Sequence, residues 1–190
     1  MKKLLVIVIG FLLYSCSEGN NVNDIDENEI TVKQLKAEIK EMDDSLSFLV
    51  EKAMNEDDFQ ISRLVYHETI NRCLNFYSHF PEHDFTPEAL EKVAAMYMAL
   101  SIDQKAADWR DSLIINFPNY DNMLTILELQ KTHYDNFETY EPEKIEEYID
   151  LMLKNDNLSG KKREELEFRK KHIDKSFIEL VKIQNPDLEL

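Results

Sequence analysis

Two Phe-Pro pairs, Phe80-Pro81 and Phe117-Pro118, stand 37 residues apart in nearly matched surroundings, FPEHDF and FPNYDN. Each follows a segment with helical apolar spacing and precedes a polar one. Proline lacks the N–H that would extend a helix, and it pushes the residue before it out of the helical region. Both pairs therefore read as helix stops, and their interval is close to the length of one helix–turn–helix unit. No convincing alternating strand pattern occurs on either side of them.

The remaining helices follow from spacing and punctuation. Val32, Leu35, Ile39, Met42, Leu46, Leu49 and Ala53 recur every three or four residues, on one helix face. That stripe also fits about three heptads of a coiled-coil seam. Two readings stay open: packing on the second helix, and self-association through residues 32–53. The second helix is expected from about Asp57 to His79, with Phe59, Tyr66, Ile70, Cys73, Tyr77 and Phe80 as its stripe. Thr86, Pro87 and Glu88 read as cap, first-position proline and first-turn acid of a helix reaching about Leu100. Asp103 and Asp121 read as caps of helices ending near Asn116 and Phe137. Pro142 opens a sixth helix ending near Lys154, and Asn157 to Gly160 breaks the chain. One last helix is expected from Lys161 to Gln184, with Pro186 just past it. The predicted class is all-α, about seven helices on short links, which favours antiparallel neighbours.

The segment Pro87 to Tyr120 resembles a tetratricopeptide repeat (TPR). Leu90, Val93, Ala94 and Tyr97 occupy the packing positions of its first helix, and Ala106, Leu113 and Pro118 those of its second. Small Ala94 and Ala106 let two helices approach closely. Leu90 replaces the usual tryptophan, Arg110 stands where an aromatic is expected, and Trp109 falls one place early. The helices before Pro81 resemble a degenerate unit. Ile145, Ile149 and Met152, within Glu141 to Asn157, fit the second helix of another. The expected fold is a TPR-like array of antiparallel helix hairpins over residues 30–190. The resemblance implies a concave face lined by first helices, here Glu88, Glu91, Ala95, Met98, Thr125 and Leu129. Acids beside Met98 suit a basic, partly apolar segment of a partner.

The N-terminus, MKKLLVIVIGFLLYSC, has two lysines, a short apolar run and a cysteine, the layout of a secretory signal. LYSC resembles a bacterial lipobox, which implies a lipidated Cys16 after removal of residues 1–15. In that family Ser17 in the next position favours the outer membrane. Residues 16–29, polar and acidic, read as a disordered tether. Loss of the leader leaves 20 basic against 38 acidic side chains. Such a body repels nucleic-acid phosphates, so nucleic-acid binding is not expected, while a cationic partner is permitted. A lipobox followed by Phe-Pro-linked helices is similar to bacterial envelope TPR lipoproteins. That class includes the lipoprotein of the β-barrel assembly machinery and the Tol-Pal-associated coiled-coil protein. It implies a scaffold or adaptor at the outer membrane that binds an envelope protein or peptide.

No catalytic residue, metal or cofactor is expected. Only three glycines occur, too few for a phosphate-cradling loop. His79, Glu82, His83 and Asp84 gather near the first Phe-Pro pair, but the proline interrupts any helical spacing of metal ligands. They support a weaker alternative, a metal-dependent hydrolase. The acidity supports another, an inhibitor or immunity-type lipoprotein that blocks a cationic toxin. Glu141, Glu143, Glu146 and Glu147 suit a helix start. Lys161-Lys162-Arg163 reads as a solvated run or as a dock onto the acidic surface. Cys73 is expected in an apolar stripe. Ser45 and Ser112 each lie in Asp-Ser-Leu, a triplet similar to a bacterial glycosylation signal.

Overall fold

A computed structural model describes residues 27–136 and 138–185. Eight helices occur among the described residues, without strands: α1 Glu27–Asn55, α2 Arg63–His79, α3 Thr86–Ala99, α4 Asp103–Asn116, α5 Met123–Tyr134, α6 Pro142–Leu153, α7 Gly160–Lys171 and α8 Phe177–Gln184. The leader and Cys16 lie outside the described residues. Most of the tether does too, but residues 27–29 already belong to α1.

Backbones approach closely between chain neighbours: α1 on α2, α2 on α3, and so on to α6 on α7. The apolar core runs as three successive clusters. Leu35, Ile39, Ile70, Phe76 and Val93 join α1, α2 and α3. Leu90, Leu113 and Ile126 join α3, α4 and α5. Leu127, Tyr148, Ile149, Met152 and Leu166 join α5, α6 and α7. The α1 stripe is thus used inside the chain: Leu35, Ile39, Met42 and Leu46 are buried. Leu35 and Ile39 pack in one cluster with Ile70, Cys73 and Phe76 of α2, as the first of the two readings expects.

The Phe-Pro loops repeat in hydrogen bonds as well as letters. Phe80 and Phe117 close α2 and α4 with nearly the same backbone, φ −133°, ψ 61° and φ −132°, ψ 56°. Each donates its N–H four residues back, to Phe76 and Leu113. Each carbonyl then accepts from the residue three on, His83 or Tyr120, whose own carbonyl accepts from Thr86 or Met123. Ala89 to Phe85 and Ile126 to Asn122 complete the match, every partner shifted by 37 residues. Burial follows the same shift. Thr69, Ile70, Cys73 and Phe76 of α2 correspond to Ala106, Ala107, Arg110 and Leu113 of α4, all buried. Ala89, Leu90 and Val93 of α3 correspond to Ile126, Leu127 and Gln130 of α5. The α5–α6 link is four residues longer than the α3–α4 link and α5 is two residues shorter than α3, so the next shift is 39, taking Ala106, Arg110 and Leu113 to Ile145, Ile149 and Met152.

Several boundaries differ from expectation. The α2 start moves from Asp57 to Arg63 because the Ser62 hydroxyl accepts the Leu64 N–H and caps the helix. Phe59 lies in the preceding loop, under the Lys52 ammonium at 4.4 Å. Thr86 is a first-turn residue rather than a cap, and its hydroxyl donates to the Phe80 carbonyl at 2.5 Å. Asp103 is likewise the first residue of α4, and α5 begins at Met123, not directly after Asp121. The single last helix is two. A capping box between Ser176 and Glu179 starts α8 afresh, and Arg169 donates to the His172 carbonyl where α7 ends.

Candidate partner-binding face

The residues expected to pack the repeat divide by burial. Leu90, Val93, Ala94, Ala106 and Leu113 are buried, Tyr97 is half-buried and Pro118 is exposed in its loop. α3 turns into α4 through Leu100-Ser101-Ile102. Ser101 adopts φ 58°, the Ser101 N–H bonds to Met98 O at 2.8 Å and the Ile102 N–H to Tyr97 O at 2.9 Å. These bonds satisfy carbonyls that end the helix.

The six residues expected to line the face divide. Ala95 and Met98 on α3, and Thr125 and Leu129 on α5, are exposed. Glu88 is exposed too, 3.6 Å from Lys92, which reaches Asp43 of α1 at 3.0 Å. Glu91 is not free for a partner: its carboxylate accepts from the Tyr120 hydroxyl and the Asn122 amide. Burial and that carboxylate together push the Tyr120 phenol above its ordinary pKa. Thirty-seven residues on, Glu128 does the matching job, reaching Lys162 of α7 at 2.9 Å. The signal for this pairing was two glutamates at the repeat interval.

Beneath the face lies a polar network that periodicity alone did not disclose. Cys73 and Val93, both buried, occupy the places that Arg110 and Gln130 take in the next unit. The two changes compensate one another. Arg110 Nε donates to Gln130 Oε1 at 2.7 Å, and Gln130 Nε2 donates to Ala107 O at 3.0 Å and Asp111 Oδ1 at 2.7 Å. Asp111 also accepts the hydroxyls of Tyr134 and Tyr148. Burial lowers the Arg110 pKa, and burial next to Asp111 pushes Tyr134 up to about 12. Arg110 Nη1 points to the face and meets Met98 Sδ at 2.9 Å. Trp109 packs edge-on to Tyr77 at 6.2 Å, so the inward position belongs to Arg110.

Other expected features find their places. Cys73 is buried, which pushes its thiol up to about 12. His83 Nδ1 accepts the Phe85 N–H at 3.0 Å. Among the described residues, no three His, Cys, Asp or Glu side chains gather as a metal would require. The two Phe-Pro loops enclose a cleft of about 490 Å³, lined by Glu82, Asp84, Pro87, Phe117 and Pro118. The basic start of α7 divides: Lys161 is solvated, while Lys162 meets Glu128 and Arg163 donates to the carbonyls of Leu153 and Asn155 at 3.0 and 3.2 Å. No family model, no curated protein and no solved structure matches the chain.

Proposed function

We propose that this protein is a non-enzymatic adaptor of the bacterial outer membrane, lipid-anchored through Cys16, that holds an envelope protein or peptide on a TPR-like face. The observation that carries the reading is the 37-residue recurrence of loop hydrogen bonds and buried positions from α2–α3 to α4–α5. Repeats of this kind bury a continuous core and leave one helix of each unit free for contact. On this reading Glu88, Ala95, Met98, Thr125 and Leu129 meet the partner, and Glu91 ties one unit to the next. The partner segment is basic and partly apolar, to match the acid at Glu88 and the thioether of Met98.

Two measurements test the proposal. Labelling of cells with a palmitate analogue should mark the wild type and not Cys16→Ala; equal labelling of both removes the anchor. In-cell crosslinking with mass spectrometry should recover the same partner from wild type and Glu91→Gln. The double variant Glu88→Lys with Leu129→Glu should lose it. Unchanged recovery by the double variant refutes the face.

A further inference from the structure

Met98 is exposed at 42% and stands on the proposed face, while Arg110 below it is only 3% exposed. A thioether is a weak acceptor for a guanidinium N–H, and the charge of a buried arginine calls for a stronger one. Among the described residues no carboxylate lies within ion-pair distance of Arg110; Gln130 and Met98 are its hydrogen-bond partners. The equivalent of Met98 in the next unit, 37 residues on, is Asp135. Its carboxylate takes the Arg169 guanidinium at 2.7 and 3.0 Å. That position therefore accommodates an oxygen acceptor facing a guanidinium.

We propose that Met98 is an oxidation site, at which a peroxide converts the thioether to a sulfoxide whose oxygen is received by Arg110. One sulfur lone pair meets Arg110 Nη1, and the other attacks the distal peroxide oxygen. The S–O bond forms as the O–O bond breaks, water leaves, sulfur is oxidised by two electrons and the peroxide is reduced by two. Rotation about the Cγ–Sδ bond then brings the new oxygen to the guanidinium. Sulfoxide formation ordinarily disrupts a packed methionine by making it polar. Here the polar product gains a charge-assisted hydrogen bond. Its consequence for function rests on the face proposed above: oxidation replaces an apolar contact with a polar one that is turned inward, and so weakens a partly apolar partner.

The test uses the full chain and hydrogen peroxide, with peptide mapping by mass spectrometry. Met54, at 79% exposure, and Met152, at 0%, bracket the expected behaviour. Met98 should oxidise at a rate near that of Met54 and at least roughly tenfold faster than Met152. Chain carrying the extra oxygen at Met98, prepared in a Met54→Leu background, should keep its thermal midpoint. Met98→Gln, which offers an amide oxygen to Arg110, should unfold at a urea midpoint equal to or above that of Met98→Leu. Oxidation of Met98 no faster than Met152, or a lower midpoint for Met98→Gln than for Met98→Leu, overturns the proposal. These readouts need no partner, so they stand or fall separately from the adaptor reading.

Discussion

Arg110 and Gln130 make the sharpest case for reasoning from one side chain to another. A buried guanidinium and a buried amide are costly alone, because each leaves a polar group without its partner, at about 1–3 kcal/mol per group. Together they satisfy one another across α4 and α5. Gln130→Leu should therefore destabilise strongly, as should Arg110→Met. The double variant, which restores the apolar character of Cys73 and Val93 one unit earlier, should recover at least about 1 kcal/mol of the summed loss. Urea denaturation of the four proteins measures the coupling; strict additivity would mean that the two side chains act independently. His133 carries a second prediction. Its Nε2 is buried without a hydrogen-bond partner, and burial, followed by the nearby Arg110 charge, lowers its pKa. Asp103, Asp111 and Glu141 oppose that shift without reversing it. The folded protein thus takes up this proton at lower pH than the unfolded chain does. Stability from neutral His133 is intact above the unfolded value of about 6.5 and falls as pH drops through the folded value. Thermal midpoints from pH 7.5 to 5 should decline less for His133→Leu than for the wild type.

At the scale of elements, the α3–α4 turn shows how local geometry and residue choice can disagree. Ser101 holds φ 58° at a position where glycine avoids the clash of a Cβ with the backbone. Ser101→Gly should stabilise the protein by about 0.5–1 kcal/mol, less any loss from a more flexible unfolded chain. A lower urea midpoint for that variant would show that the Ser101 side chain contributes more than its conformation costs. The all-helical class, the two Phe-Pro stops and the buried stripes of α3 and α4 were legible because each depends on proline chemistry or helical period, both local properties. Other boundaries were set by competition between neighbours. Ser62 outweighed Asp57 as the start of α2, and the Ser176–Glu179 capping box cut one expected helix into two. Ser-x-x-Glu was visible in the chain, but it sits inside an apolar pattern that reads as uninterrupted. Exposure along the proposed face was legible in part: that of Met98 and Leu129 follows from helical register. The engagement of Glu91 does not, because its partners Tyr120 and Asn122 arrive from the next loop.

At the scale of the molecule, helices that meet, among the described residues, only between chain neighbours have no shared central core to lock their ends. The stability of such an arrangement is a sum of unit and interface contributions, and its terminal helices open most readily. Among the described helices that pack on a chain neighbour, α7 is the last. It buries one apolar side chain, Leu166, along with Arg169. Its remaining hold is largely electrostatic. Lys162 reaches Glu128, Arg169 grips Asp135, and Lys170 reaches Asp150 at 2.6 Å and Glu146 at 3.3 Å. A chain of formal net charge −16 thus spends much of its scarce positive charge fastening one helix to its own acidic surface. Partly exposed pairs of this kind are screened by salt, whose Debye length shortens from roughly 10 Å at 0.1 M to 3 Å at 1 M. Apolar burial between α3 and α4 is not screened in that way. Hydrogen exchange at 0.05 and 1 M sodium chloride should therefore show protection falling in residues 160–171 while α3 and α4 change little. Lys170→Gln should shift the low-salt pattern of α7 toward the high-salt one. Equal protection of α7 at both salt concentrations would mean that Leu166 and the backbone bonds of Arg163, not the ion pairs, hold the end of the array.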